Sequence, residues 1–201
     1  MGHIVLLGDS IFDNGAYTGS EPDVIAHLRS ILPPFWSATL CAVDGATTSG
    51  LSSQVRCVPA DATHLFVSIG GNDALGNMDL LATPVRSTTD ALRLFGSRIA
   101  DFERSYRRGL QPVLALRKPV TICTIYDGDL PDRNEAAIAR VALMMFNDTI
   151  LRIAAAHRLP TIELRLICSE PEDYANPIEP SGTGGRKIAL AIARAAEAIA
   201  D

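Results

Sequence analysis

Three short blocks of this sequence carry residue types that could do chemistry together. The apolar run His3-Ile4-Val5-Leu6-Leu7 stops at Gly8-Asp9-Ser10, Ala38 to Val43 stops at Asp44-Gly45-Ala46-Thr47, and Leu65-Phe66-Val67-Ser68-Ile69 stops at Gly70-Gly71-Asn72-Asp73. Each reads as a buried strand ending in a turn. A hydroxyl, a glycine amide and a carboxamide thus arrive at three successive strand ends. In an open α/β sheet the carboxyl ends of the strands are where ligands and reacting groups collect. Acyl transfer needs a nucleophile, a base to take its proton, and fixed donors where the carbonyl oxygen turns negative. Ser10 has the place of a nucleophile. Gly45 can present its N–H with no Cβ in the path, and Asn72 adds a side-chain NH2.

Such a site needs strands alternating with helices. Strand one is followed by a helix start at Ser20 to Asp23, with Val24, Ile25, Leu28, Ile31 and Leu32 as its apolar stripe and Pro33-Pro34 as its stop. Strand two is expected at about 38–43, a short helix at about 50–57, and strand three at about 64–69. A long amphipathic helix over 88–116 carries Leu92, Phe95, Ile99, Phe102 and Tyr106 at helical spacing, which reads as a core face. Strand four follows at 120–125, and a helix over about 134–157 places Met144, Met145 and Phe146 as core fillers. Strand five is expected at 161–164 and a last helix from about Pro180-Ser181. A helix N-terminus is expected directly after Ser10, aligning its amide and hydroxyl. The alternation predicts βαβ units, hence a parallel sheet covered on both faces. Ser10, Gly45, Asn72 and Asp127 then share one edge of it.

These blocks, with Gly-Asp-Ser at strand one and Gly-Gly-Asn-Asp at strand three, resemble the SGNH (GDSL-like) hydrolase family over nearly the whole chain. The resemblance implies a three-layer α/β/α sandwich with a five-stranded, doubly wound, flavodoxin-like sheet of order 2-1-3-4-5. It implies an acylhydrolase with Ser10 as nucleophile and with Gly45 and Asn72 completing the oxyanion hole beside the serine's own amide. It assigns backbone-bracing roles to Asp9 and Asp73. The last block departs from the family pattern. Where Asp-x-x-His is expected before the final helix, the chain reads Asn176-Pro177-Ile178-Glu179.

Glu179 is therefore the expected base, with Asn176 as its orienting partner. A free glutamate, with a pKa of about 4.3 against about 6.5 for imidazole, is a weak acceptor for a serine proton. Burial over an apolar pocket would raise it toward imidazole. Asn176 would orient the carboxylate by a hydrogen bond without adding charge. Asp173, six residues earlier, reads as a loop acid. None of His3, His27, His64 or His157 has the address of a base.

Two other readings stay open at this point. The missing histidine allows a catalytically impaired protein of this fold that binds a small ester or carbohydrate. Asp9, Asp13, Asp73, Asp127 and Glu179 could instead gather around a divalent ion for phosphoryl chemistry, although no Gly-rich phosphate loop is present.

The 201 residues fit a single domain spanning 1–201, and 47% hydrophobic against 20% charged residues is a globular balance rather than a disordered one. The net charge of -5 argues against a nucleic-acid partner. Arg104, Arg107 and Arg108 read as a solvated helix face. No apolar run reaches the length of a bilayer span, so no membrane insertion is expected. The amino terminus reads straight into strand, which gives a cytoplasmic expectation, and Cys41, Cys57, Cys123 and Cys168 lack metal-ligand spacing and are expected reduced. No cofactor is expected. The partner is a small-molecule ester, and the walls of its pocket should come from 17–20, 75–83 and 126–133, whose small, apolar and acidic residues disfavour a strongly anionic substrate.

Overall fold

In the computed structural model, which describes residues 1–200 with side chains to residue 198, five parallel strands run β1 (Gly2–Gly8), β2 (Trp36–Leu40), β3 (His64–Ser68), β4 (Val120–Cys123) and β5 (Thr161–Ile162). Their order is β2-β1-β3-β4-β5. The sheet is the expected doubly wound one, with β3 at its centre and β1 paired to both β2 and β3. Alternation along β1 explains the layers. Ile4 and Leu6 face a core built with helices α1 (Val24–Ile31) and α6 (Gly182–Ala200). Val5 and Leu7 face a second core with α2 (Leu51–Gln54), α4 (Thr88–Ala115) and α5 (Arg133–Ala156). A further short helix, α3 (Gly71–Leu75), leaves the end of β3. Among the described residues no helix is long and apolar enough to cross a membrane.

Several boundaries differ from the sequence reading, each for a local reason. β2 starts earlier, where Trp36 pairs with Gly2, and stops earlier because the amides of Cys41 and Ala42 both donate to Leu6 O, which interrupts the regular ladder. β5 shortens to two residues because Glu163 caps a tight turn at 164–166. α1 begins at Val24, not Ser20, because Asp23 is the cap and accepts from Ala26 N. No helix follows Ser10. Phe12 N and Asp13 N both donate to Asp9 O, closing a single turn, and the chain then loops to α1. The last block, expected as a plain loop, holds a small antiparallel hairpin, β6 (Tyr174–Asn176) with β7 (Glu179–Pro180).

Two expected core stripes are only half core. In α4, Phe102 and Tyr106 are buried but Leu92 is exposed; in α5, Phe146 is buried but Met144 is exposed. At 1.5 Å per residue the 28 residues of α4 span about 42 Å, whereas the five-residue strand before it spans about 17 Å. The amino-terminal turns of both helices therefore rise past the carboxyl edge of the sheet and wall the space above it. The basic residues of α4 behave as expected, with Arg104 and Arg107 pairing to Asp101 and Glu103 on the helix surface. All four cysteines are free thiols, three of them buried.

Candidate active site

Gly8 ends β1 at φ +137°, and a Cβ there would collide with Ser68 O, so only glycine lets β1 and β3 close this tightly. Gln54 of α2 clamps the same residue, its Oε1 accepting from Gly8 N and its Nε2 donating to Gly8 O, both at 2.7 Å. The turn after this clamp holds Ser10, which is 6% exposed. Ser10 Oγ donates to Glu179 Oε1 at 3.1 Å across 169 positions of sequence.

The other two strand ends close on the same edge. Gly45 turns at φ +73°, a conformation suited to glycine. Asn72 Nδ2 donates to Ala46 O at 3.0 Å, which binds the block after β3 to the turn after β2 and leaves its second N–H free for another acceptor. Asp73 makes the same junction from the other side, accepting from Thr48 N at 2.9 Å and Thr48 Oγ1 at 2.8 Å. The backbone amides of Ser10 and Gly45 donate to no acceptor among the described residues. Three N–H donors thus stand at one edge beside a buried hydroxyl.

Glu179 is 6% exposed and is delivered by the hairpin. Two long-range hydrogen bonds dock the hairpin, Asn14 Nδ2 to Pro180 O at 3.1 Å and Tyr126 OH to Ile178 O at 2.7 Å, and Ser181 N donates to Asp173 O at 2.8 Å to close its base. Burial pushes the Glu179 carboxyl above the ordinary range, the Ser10 hydroxyl pulls it partly back, and the Asp44 carboxylate adds to the rise. Its Oε2 is buried without a hydrogen-bond partner among the described residues.

Asn176 acts differently from the sequence expectation. Its Oδ1 accepts from Ile178 N and Glu179 N, each at 3.0 Å, so it shapes the hairpin turn and does not reach the Glu179 carboxylate. An Asn side chain mimicking a turn is a common local solution, and here it outcompetes contact with the carboxylate. Asp173 is also more than a loop acid. It is fully buried, accepts from Ser169 N and Glu170 N at 3.1 Å, and takes Lys187 Nζ at 2.8 Å, fixing the hairpin to α6.

Asp9 is 2% exposed and accepts from Ile11 N at 3.2 Å. Desolvation pushes its pKa to about 8, with the fields of Glu179 and Asp73 in the same direction. The carboxylates that the metal reading would gather do not converge: among the described residues no three or more His, Cys, Asp or Glu side chains form a group able to hold a metal ion. His3 and His64 lie at the amino ends of their strands, His27 is within α1 and His157 caps α5, all away from Ser10.

A cavity of about 140 Å³ opens beside Ser10, Asn72 and Glu179, walled by Ile69, Leu75, Leu81, Phe95, Leu143 and Phe146. The walls come from the loops after β3 and β4 and from the overhanging turns of α4 and α5. Asp127, at the mouth, pairs with Arg140 at 2.9 Å. Gln54, Asn14 and Asn147, whose amide pairs with both Ile125 N and Ile125 O at 2.8 Å, were not singled out from sequence. Their signal was a side-chain amide at buried spacing: Gln54 is three residues after Leu51, and Asn147 lies between Leu143 and Ile150 on the inward face of α5.

The parallel sheet of order β2-β1-β3-β4-β5, covered by helices on both faces, is the α/β/α sandwich of SGNH hydrolases. The chain belongs to the GDSL-like lipase/acylhydrolase family, whose profile matches residues 6–186. Among solved structures it is similar to an extracellular lipase from Streptomyces rimosus, with a TM-score of 0.69, 18% identity and coverage of 96% of this chain and 100% of that one. It is similar also to phospholipase A1 from Streptomyces albidoflavus, with a TM-score of 0.68, 18% identity and 97% and 98% coverage. The aryl esterase of M. smegmatis gives a TM-score of 0.70 at 13% identity, with 98% and 99% coverage. No curated protein sequence matches the chain.

The state of Asp9 is testable through stability. A carboxyl whose pKa is raised on folding binds its proton more tightly in the native state, so its contribution is complete below its unfolded value of about 4 and is lost as pH rises to about 8. Asp9→Asn removes that loss. The urea midpoint of the variant should fall less than that of the wild type between those two pH values; parallel declines would contradict a protonated Asp9.

Proposed function

We propose that the protein is a serine acylhydrolase whose catalytic pair is Ser10 and Glu179. The observation that carries this reading is the hydrogen bond between two buried groups, the Ser10 hydroxyl and a carboxylate raised by burial. In the first step Ser10 Oγ bonds to the ester carbonyl carbon while its proton passes to Glu179. The carbonyl oxygen becomes an oxyanion, met by the amides of Ser10 and Gly45 and the free N–H of Asn72. Collapse breaks the bond to the alcohol oxygen, which takes the proton back from Glu179. A water then repeats the sequence on the acyl-serine, and its attack releases a carboxylic acid and restores Ser10.

The negative charge never multiplies in this scheme. It begins on Glu179 and moves to the oxyanion as the proton moves the other way, so no third charged residue is needed to balance an imidazolium. A raised carboxyl pKa suits a group that must accept a proton and then give it up near neutral pH. The apolar cavity supports an acyl chain on one side of Ser10, where exclusion of water strengthens each donor. An impaired binding protein is the second reading, and it predicts an inert serine.

Two experiments follow. Intact-mass analysis after a fluorophosphonate should give one adduct on the wild type and none on Ser10→Ala, with chelator without effect; an adduct that survives the substitution would remove Ser10 from the mechanism. In p-nitrophenyl ester assays Asn72→Ala should lower kcat by about 10²–10³ with KM little changed, since an oxyanion donor acts on the transition state. An unchanged kcat would exclude Asn72 as a donor.

A further inference from the structure

The segment between β2 and β3 carries much of the site, yet little of it is buried. It holds Gly45, Ala46 O accepts from Asn72, Thr48 meets Asp73, and Gln54 clamps Gly8. Between positions 41 and 57 only Ala42, Thr48, Leu51 and Gln54 are buried. A cysteine stands at each end. Cys41 is buried directly after β2, and Cys57 is exposed at the end of the turn 55–57.

The two thiols meet. Cys41 belongs to the core that takes Leu51 of α2, with Val55 and Val58, which flank Cys57 in the chain, packed against it. The Cys41 and Cys57 side chains share a hydrogen bond. Cys123 and Cys168 belong to the other core, across the sheet, and both are buried. The sheet therefore leaves Cys41 one partner, and that partner is open to a reagent in solution. Burial, and after it the bond to Cys57, pushes the Cys41 thiol up to about 12, so Cys41 keeps its proton until a sulfur is presented to it. The proposed ester chemistry uses neither thiol.

We propose that Cys41 and Cys57 are a dithiol modification site, converted by a small disulfide such as oxidised glutathione into an internal disulfide that clasps the segment carrying Gly45 and Gln54. Cys57 Sγ loses its proton and attacks one sulfur of the reagent, whose S–S bond breaks to release one thiol and leave a mixed disulfide. Cys41 Sγ then attacks Cys57 Sγ, and its proton goes to the second departing thiol. The cysteines give up two electrons and the reagent takes them. The sulfurs must close to about 2.0 Å, and the exposed turn 55–57, which has no side-chain cap, is the part able to move. Cys41 is held by its amide on Leu6 O. The bond closes a loop of about 15 residues, and so restricts the unfolded chain where the native core holds it least. The inference stands whether or not Ser10 is acylated.

The test is incubation of the whole protein with oxidised glutathione, read by intact mass and peptide mapping. The wild type should lose two hydrogens, retain no glutathione and yield a linked peptide pair joining Cys41 to Cys57. Cys41→Ala should instead keep one glutathione on Cys57, and Cys57→Ser should take up none. The oxidised wild type should unfold at a urea midpoint about 1 M above the reduced form, as a loop of that length and an ordinary urea slope imply. Dithiothreitol should reverse the shift, and Cys57→Ser should show none. A wild type that keeps glutathione on Cys57, as the Cys41 variant does, overturns the pairing. So does a linkage to Cys123, to Cys168 or between two molecules, or a protein whose thiols all stay free. A Cys41–Cys57 linkage with an unchanged midpoint overturns the clasp.

Discussion

The hydrogen bond from Ser10 to Glu179 joins the first strand end to the last hairpin, and much of the molecule serves to hold its two ends. On the serine side, Gly8 permits a close approach of β1 to β3, and Gln54 clamps the turn. On the glutamate side, Asn14, Tyr126 and Lys187 each reach the 170s segment from a different part of the fold. These contacts are what keep an anionic side chain out of water. Without them Glu179 would swing to solvent, regain an ordinary carboxylate pKa and lose its basicity together with its partner.

The site differs from a three-membered relay in a physically consistent way. An imidazole base must have its tautomer and ring plane fixed by an acid. A carboxylate has no tautomer to fix, and its orientation here is set by the backbone of the hairpin. Asn176 works at that level, on the amides of Ile178 and Glu179, where an aspartate contacting the base would otherwise stand. Burial pushes the Asp9 carboxyl beside the serine up to about 8, which favours its neutral form and so limits the charge that the site must hold. In the proposed chemistry the charge that moves is that of the Glu179 carboxylate.

Sequence carried the frame well because the frame is made of repeated local patterns. Apolar runs ending in Gly-Asp-Ser, Asp-Gly and Gly-Gly-Asn-Asp mark strand ends, and alternation with helices dictates a parallel sheet, so the sequence pattern alone brings Ser10, Gly45 and Asn72 to one edge. What depended on tertiary geometry was not legible. The periodicity of α4 continues through Leu92 although the sheet beneath it has ended, and only the length mismatch between helix and strand exposes that residue. The hairpin of the last block is a bulged pairing of two short segments with no alternating pattern to announce it. Asn176 had the right neighbour but the wrong atom of it, because a local turn bond and a bond to a carboxylate look the same in a spacing of three residues.

The most direct test of the Ser10–Glu179 pair is the rate of fluorophosphonate labelling of Ser10 as a function of pH, in the wild type and in Glu179→Gln. If Glu179 is the base, wild-type labelling falls as pH drops through a midpoint above the ordinary glutamate value of about 4.5, since the carboxylate must be ionised to take the serine proton. The glutamine variant, folded as judged by circular dichroism, should lose this limb and label about 10² to 10⁴ times more slowly. Labelling of the variant at the wild-type rate with the same pH profile would show that another group accepts the proton and would contradict the account.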